Sequence, residues 1–294
     1  MRRRRIVVLG DINLDIIAFH QKFPEEGYED MAEKAYIRHG GSAANVAHTL
    51  SLLGTSVVMI GCVGEDPLGE MLVKGLVDAG VDTAHVQKTS ADITGITYIV
   101  VSKNGERTML AYRGANRHLN HTHLSFDALN DAAILHFSGY SFLEGPQRET
   151  AFKALEKADN AVTLDLCIPL ASQPLLLENI VKHVDCVFLN SAEYSVVKGY
   201  FGVSSVSDLA RQWGCMVVFK KGSEGCEIAE TDGEVVRLSA EPVETVDGTG
   251  AGDAFIAGFL HEMLKGSPAT VCGLLATRLG ALAVKTIGGR LEHL

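Results

Sequence analysis

Short runs of apolar and β-branched residues alternate along the chain with segments of helical periodicity. The apolar runs fall at 6–9, 57–63, 134–137, 161–166, 186–189 and 216–219. Helical patterns lie between them, at 43–53, 68–79 and 149–158 among others. Unbroken apolar runs are typical of strands buried on both faces, and their alternation with helices predicts a parallel sheet covered on both sides. The pattern therefore predicts an α/β fold.

Two stretches depart from this alternation. Strand-like patterns at 12–19 and 30–38 flank a turn around Pro24 and Gly27. A second pair at 95–102 and 106–112 flanks Asn104-Gly105, a strong hairpin signal. Both predict antiparallel strands outside the main sheet, forming a small β-layer. That layer is either an edge extension of the sheet or a lid over a site.

Composition narrows the functional classes. Apolar residues make up 47% of the 294 residues and charged residues 21%, as in globular proteins, and the net charge is −10. An acidic chain argues against a general nucleic-acid binder, although backbone amides can still form a local anion site. The chain has no run of 18 apolar residues, so we expect no membrane span and no membrane partner. Its six cysteines are irregularly spaced, which favours buried thiols in a cytoplasmic protein.

The glycine-rich stretch Asp247-Gly-Thr-Gly250-Ala-Gly252-Asp253 runs directly into an apolar helical pattern. Gly250 and Gly252 allow a tight turn and a close approach of the backbone to a ligand. The free N–H groups at the start of the helix then form an anion hole. Asp253 has two interpretations, as an N-terminal cap of this helix or as a general base beside a bound phosphate.

A second glycine pair, Gly40-Gly41, opens another helical pattern that contains Asn45. Asn45 offers two donors and one acceptor, which suits sugar hydroxyls, but an ordinary helical Asn after a turn fits as well. The chain lacks the G-x-x-x-x-G-K-[ST] and G-x-G-x-x-G fingerprints. A P-loop enzyme and a dinucleotide-dependent oxidoreductase are therefore poorly supported.

Together these motifs resemble the two signatures of the ribokinase (PfkB-type) carbohydrate kinases. Gly40-Gly41-x-x-x-Asn45 and Asp247-x-x-Gly250-Ala251-Gly252-Asp253 match them in order and lie about 200 residues apart. Smaller matches are Gly61-x-Val63-Gly64-x-Asp66-x-x-Gly69, Arg113-Gly114-Ala115-Asn116, Asn190-x-x-Glu193 and Gly222-x-x-Gly225. The resemblance covers almost the whole chain, from residue 7 to about residue 289.

The resemblance implies a ribokinase-like three-layer α/β/α sandwich with a mostly parallel central sheet and a small β-sheet lid. It implies one domain over residues 1–294, with the lid built from about 12–38 and 95–112. The implied reaction transfers the γ-phosphoryl group of MgATP to a primary hydroxyl of a small ribose- or fructose-like sugar. A nucleoside kinase of the same family is the alternative, and a non-catalytic sugar- or nucleotide-binding module is the alternative of another class.

The resemblance also implies roles for individual residues. Asp253 matches the catalytic base, and Gly250, Ala251 and Gly252 match the anion hole that stabilises the transferred phosphoryl group. The residues that match substrate contacts are Asn13, Asp15, Gly41, Asn45 and Arg113. Those that match nucleotide contacts are Asn190, Lys220, Gly222, Gly225 and Thr249. Asn190 and Glu193 match the motif that organises Mg²⁺, and a monovalent cation such as K⁺ is a further expectation.

Three positions depart from the family pattern. Ser42 stands where ribokinases usually have Lys, Gly248 where many members have Thr, and Lys220 where ribokinases often have Thr. The residues at 42 and 220 favour a broader sugar specificity than ribose, and Gly248 is expected to loosen the turn that shapes a monovalent-cation site. Relatives can pair through the apolar outer face of the lid, so a homodimer is expected here. The predicted apolar patch consists of Ile99, Val101, Met109 and Ala111.

Overall fold

The computed structural model describes residues 5–103, 107–124, 129, 131–291 and 293. Its strands are β1 (Arg5–Leu9), β2 (Asn13–His20), β3 (Lys34–Gly40), β4 (Ser56–Gly64), β5 (Asp82–Thr89), β6 (Gly95–Ser102), β7 (Arg107–Tyr112), β8 (Ile134–Ser138), β9 (Ala161–Asp165), β10 (Cys186–Asn190), β11 (Met216–Lys220), β12 (Cys226–Ala229) and β13 (Val235–Leu238). Its α-helices are α1 (Ser42–Leu52), α2 (Pro67–Asp78), α3 (Gly145–Glu156), α4 (Ile168–Ala171), α5 (Pro174–Val181), α6 (Ser191–Phe201), α7 (Val206–Trp213), α8 (Ala251–Lys265) and α9 (Ala269–Ala283).

The central sheet has nine strands in the order β13-β12-β11-β10-β9-β8-β1-β4-β5. The pairs from β11 through to β5 are parallel, and the two strands at the other edge, β12 and β13, pair antiparallel. Parallel strands all end at the same edge of the sheet. The side chains that follow β1, β9, β10 and β11 therefore meet along one line.

Apolar side chains on successive positions of β1 enter different cores. Val7 and Leu9 belong to a cluster with α3 to α7, whereas Ile6 and Val8 belong to a cluster with α1, α2, α8 and α9. All four side chains are fully buried. The sheet is thus covered by helices on both faces, which confirms the predicted three-layer sandwich. Among the described residues, no helix is long and apolar enough to cross a membrane.

The remaining four strands form a separate sheet in the order β3-β2-β6-β7, which we call the lid. β2 and β3 form one antiparallel pair, and β6 and β7 form the other. The two pairs are joined by parallel pairing of β2 with β6. The predicted hairpin turn at Asn104-Gly105 lies outside the described residues. Because β2 begins three residues after β1 ends, the lid arises at the carboxyl edge of the central sheet. It is therefore a second layer and not an extension of the first.

The predicted apolar patch on the outer face of the lid is wrong. Ile99 and Val101 are buried, and Ile99, Met109 and Ala111 line a cavity between lid and body. Side chains alternate between the faces of a strand, so these positions share the inner face with Asn13 and Asp15.

The outer face instead carries a row in register across the four strands. The row consists of Ile37, Ile16, Tyr98 and Leu110. Ile37, Tyr98 and Leu110 are 62%, 46% and 73% exposed. The apolar outer surface of the lid is therefore present, one residue out of phase with the predicted patch.

Candidate active site

The start of α8 is the turn that the glycine-rich motif predicts. Gly250 is the N-cap of the helix, with φ of 74°, and a Cβ on it would lie 2.2 Å from the carbonyl oxygen of Gly289. Both the left-handed backbone and the close approach restrict this position to glycine. The first N–H groups of α8 have no partner within the helix and carry the positive end of its dipole. The turn therefore presents an anion site.

Asp253 lies in the first turn of α8, and among the described residues its carboxylate makes no hydrogen bond to the backbone of this helix. Its Oδ2 instead accepts a hydrogen bond of 2.8 Å from Nδ2 of Asn45 on α1. The capping interpretation of Asp253 is therefore wrong. Its carboxylate belongs to a side-chain contact between two helices that both begin at the carboxyl edge of the sheet.

Two cavities meet at this helix start. One, of about 430 Å³, lies between lid and body, and Asp253 lines it together with Gly250. The other, of about 400 Å³, lies over the carboxyl end of β11 and the start of α8, and Ala251 and Gly252 line it. We call the first the acceptor cavity and the second the donor cavity. One helical turn thus offers a carboxylate to one cavity and backbone amides to the other.

The surroundings of Asp253 favour proton uptake. Burial, and then the nearby carboxylate of Asp165, raise the pKa of Asp253 to about 6. Hydrogen bonds from Asn45 and Ser42 and the charge of Lys220 act in the opposite direction. A pKa of about 6 leaves the group ionised at neutral pH while keeping it a better proton acceptor than an ordinary carboxylate.

The polar wall of the acceptor cavity comes from β2 and α1. Gly41 caps α1 with φ of 89°, and a Cβ there would lie 2.4 Å from the carbonyl oxygen of Asp11. Asn13 accepts a hydrogen bond of 2.7 Å at its Oδ1 from Asn116. Burial raises the pKa of Asp15 to about 7. Asn13, Asp15, Gly41 and Asn45, all predicted substrate contacts, line this cavity.

Arg113 also lines the acceptor cavity, but its guanidinium is engaged. Nε and Nη2 donate to the two carboxylate oxygens of Asp11 at 3.0 and 2.9 Å, and Nη2 also donates to Gln147. Both members of the ion pair are buried. Arg113 therefore has a structural role, and its contact with the substrate stays a prediction.

Arg107, which the sequence reasoning missed, is the lid arginine that spans the cavity. Its Nη1 donates to Oγ1 of Thr249 at 3.3 Å, next to the glycine-rich turn. Thr249 was predicted to contact the nucleotide, yet it lines the acceptor cavity. Its side chain also donates to Oδ1 of Asp247 at 2.7 Å. The signal that could have identified Arg107 is the alternation of side chains along β7, which places it on the same face as Met109 and Ala111.

The donor cavity contains three of the predicted nucleotide contacts: Lys220, Gly222 and Gly225. Nζ of Lys220 donates to Oδ1 of Asp165 at 2.7 Å. Asp165 was not predicted. It ends β9 as Asn190 ends β10 and Lys220 ends β11, so its place at the carboxyl end of a buried strand was the available signal.

The predicted Mg²⁺ residues form the start of α6. Oδ1 of Asn190 accepts the N–H groups of Ala192 and Glu193, and both carboxylate oxygens of Glu193 accept from Asn190. Burial raises the pKa of Glu193 to about 7. Within the described residues no cluster of three metal-ligating side chains occurs. The free lone pairs of Glu193 fit an ion held chiefly by phosphates and water, as Mg²⁺ commonly is.

Comparisons with known proteins identify the family and the fold. The sequence profile described as pfkB family carbohydrate kinase matches residues 3–293. A ribokinase of Haemophilus influenzae is 26% identical over 273 residues, which cover 90% of this chain and 86% of that protein. The structure of adenosine kinase from Sinorhizobium meliloti superimposes with a TM-score of 0.88 at 24% identity, covering 98% of this chain and 96% of that one. Arabidopsis thaliana ribokinase complexed with ribose and ATP gives 0.82 at 25% identity, with 97% and 93% covered.

Proposed function

The chain belongs to the pfkB family of carbohydrate kinases and is a phosphotransferase with an alcohol acceptor, and on this premise we propose its reaction. It transfers the γ-phosphoryl group of MgATP to a primary hydroxyl of a small sugar. The observation that carries the proposal is the start of α8. Asp253 lies in the acceptor cavity and Ala251 and Gly252 line the donor cavity, all within the first turn of one helix.

In the proposed reaction, Asp253 takes the proton of the acceptor hydroxyl. The oxygen of that hydroxyl forms a bond to the γ-phosphorus, and the bond from that phosphorus to the bridging oxygen of ADP breaks. Charge on the transferred group is stabilised by the helix N-terminus at Gly250 to Gly252. The lid excludes water from the acceptor cavity, which limits transfer of the phosphoryl group to water.

The donor cavity suits a purine nucleotide. Apolar side chains line part of it, as a planar base requires: Pro242, Val243, Phe255, Ala281 and Val284. Lys220 and the start of α8 also line it and suit phosphates. When bound, Mg²⁺ would neutralise phosphate charge, with Glu193 and Asn190 orienting its water ligands. A K⁺ requirement stays a prediction, to be checked by activity in potassium and in tetramethylammonium salts.

The acceptor cavity supports a free sugar first. Asn13, Asp15 and Asn45 provide donors and acceptors for vicinal hydroxyls on one wall. Apolar side chains also line this cavity and favour a second candidate, a nucleoside, because Ile99, Met109 and Leu143 offer a surface for a base. A volume of about 430 Å³ is within the ordinary range of small-molecule sites.

An acceptor panel separates these functions. ADP formation is measured with ribose, fructose, other ketoses and aldoses, adenosine, inosine and cytidine, and the phosphorylated position is read from phosphorus–proton coupling. Turnover restricted to free sugars supports the proposal, and turnover restricted to nucleosides supports the second candidate. If every compound is bound in calorimetry but none gives ADP above background, the protein is a binding module of the same fold.

The homodimer is also proposed, with a corrected surface. Ile37, Tyr98 and Leu110 form an exposed apolar row on the outer face of the lid, and such rows mark contact surfaces. Pairing of two lids through this row would cover it. Light scattering at micromolar concentration tests the proposal, and a monomer under those conditions counts against it.

A further inference from the structure

A buried ion pair lies where the two cavities meet. Asp165 ends β9 and Lys220 ends β11, and their side chains are joined by the 2.7 Å bond from Nζ to Oδ1. The two side chains are only 12% and 13% exposed. Burying an ammonium and a carboxylate carries a large desolvation penalty, which a purely structural pair recovers only with good geometry. The position of the pair indicates why the chain retains it.

The ammonium of Lys220 lies against the first turn of α8. Its Nζ is 3.5 Å from the place where a Cβ on Gly252 would be, and this is the one contact that such a Cβ would meet among the described residues. The space in front of Gly252 is thus bounded by backbone amides on one side and by a cation on the other. An ammonium has three N–H groups, and within the described part of the chain one is donated to Asp165.

Asp165 is hydrogen-bonded to one lining residue of each cavity. Its Oδ1 accepts from Lys220 in the donor cavity, and its Oδ2 accepts from Oγ of Ser42, which lines the acceptor cavity, at 3.3 Å. Ser42 is also the first residue of α1. Asp165 therefore fixes the Lys220 ammonium relative to the helix that carries Asn45. Without that carboxylate, the flexible four-carbon stem of Lys220 would not define the position of its charge.

We propose that Asp165 is a positioning residue that holds the Lys220 ammonium at the start of α8, where this ammonium contacts the γ-phosphoryl group directly. The inference rests on the proposed function, because it assumes that a nucleoside triphosphate fills the donor cavity. Its specific consequence is that Lys220 recognises the third phosphate and leaves the rest of the nucleotide untouched. Triphosphate and diphosphate binding should then respond differently to the loss of this charge.

Calorimetry with ADP and with the non-hydrolysable analogue AMP-PNP, both with Mg²⁺, measures this difference without turnover. We expect Lys220→Met to weaken AMP-PNP binding about ten- to a hundredfold, as loss of a charge-assisted hydrogen bond does, and ADP binding by less than threefold. Lys220→Arg keeps the charge and should restore most of the loss. Lys221→Met is the matched control, since Lys221 follows directly and pairs with Glu224 and Glu227.

Asp165→Asn tests the positioning role. It should weaken AMP-PNP selectively, as Lys220→Met does, although the ammonium remains. Since Lys220→Met leaves a carboxylate buried without its cation, the double variant Asp165→Asn/Lys220→Met is the folding control, and it should bind AMP-PNP no more weakly than Lys220→Met alone. Additive losses in the double variant would mean that the two residues act separately and would overturn the positioning role.

The pH dependence of turnover gives a second readout. Groups that face Asp253 are Ser42 and Asn45 from α1, Asp165 from β9 and Lys220 from β11, with Asp15 and Arg290 also within electrostatic reach. Asp165→Asn removes a negative charge and should move the acidic limb to lower pH, whereas Lys220→Met should move it to higher pH. Shifts in the same direction would contradict the inference.

The two failures can be told apart. If the unmodified protein binds neither ADP nor AMP-PNP, the proposed function fails and the inference fails with it. If it binds both nucleotides but Lys220→Met changes both affinities equally, or changes neither, then only the inference fails.

Discussion

Replacing Asp253 by Asn removes the proposed base but keeps the size and shape of the side chain. The Oδ1 of the new amide can still accept the hydrogen bond that Nδ2 of Asn45 now donates at 2.8 Å. Since Asp253 makes no capping bond to α8, the helix loses no hydrogen bond at its start, although it loses the interaction of the carboxylate charge with its dipole. An amide cannot take the hydroxyl proton, and loss of a general base typically lowers turnover by ~10²–10⁴. Nucleotide and acceptor affinities should stay within a few-fold.

The same substitution should stabilise the fold. Burial raises the pKa of Asp253 from 3.8 to about 6, so the folded state holds the proton more tightly than the unfolded state does. At ~1.4 kcal/mol for each pKa unit, the ionised carboxylate destabilises the fold at neutral pH by at most ~3 kcal/mol, and water in the cavity reduces this to roughly 1–3. Asn lacks this penalty. Each kcal/mol corresponds to about 2–4 °C in Tm for chains of 150–250 residues, and to somewhat less here.

The pH dependence makes this prediction specific. Below about pH 4 the carboxyl group is protonated in both states, so Asp253 and its Asn variant should be equally stable. Between about pH 4 and pH 6 the unfolded state releases this proton while the folded state keeps it, so the native protein should lose stability relative to the variant across this range, and the difference should be constant above it. Urea unfolding at pH 4.5 and pH 7.5, paired with turnover at saturating MgATP, measures both effects. Turnover within threefold of the native value, or a variant no more stable at pH 7.5, would refute the reasoning.

Three further predictions follow from the site and the lid. Gly252→Val should fill the space before Lys220 and weaken nucleotide binding at least tenfold without unfolding the protein. Gly199→Val is the control, because a Cβ there meets nothing within 4 Å, and it should leave binding unchanged. Equal nucleotide affinities of the two variants would contradict this prediction. Arg107→Met should lower turnover about tenfold at unchanged Tm. Arg113→Met should instead destabilise the fold by ~3–5 kcal/mol, measured by chemical denaturation, because it leaves the buried carboxylate of Asp11 without its cation. Leu110→Glu should convert a dimer into monomers in light scattering, and a dimer that survives it uses another surface.

Sequence patterns were enough to propose a reaction centre because its candidate residues are adjacent in the chain. Gly250, Gly252 and Asp253 share one turn, so their chemistry could be predicted without knowing the fold. The central sheet was equally accessible, since strands buried on both faces are apolar at every position. The choice between a cap and a base at Asp253 needed coordinates, because both roles place Asp in the first turn of a helix.

Features that depend on distant contacts could not be predicted in this way. Asp165 stands between Leu164 and Leu166, and its pairing with Lys220 requires that the ends of β9 and β11 lie near each other across β10. Which face of the lid turns inward depends on how β2 leaves the central sheet. The sequence pattern alone does not show which of the two alternating sets of lid side chains faces the body. A one-residue shift in that phase exchanged the inner and outer faces, which is why the predicted patch failed.

The two cavities draw on different parts of the chain. The described residues that line the donor cavity all fall between Lys220 and Val284, whereas the lid strands, which roof the acceptor cavity, all lie before residue 113. Hairpins of the lid can therefore be exchanged between homologous chains, by recombination in evolution or by chimera construction, without altering any wall of the donor cavity. The same phosphoryl-transfer residues can thus be combined with new acceptor specificities by grafting from the part of the gene that encodes residues before 113.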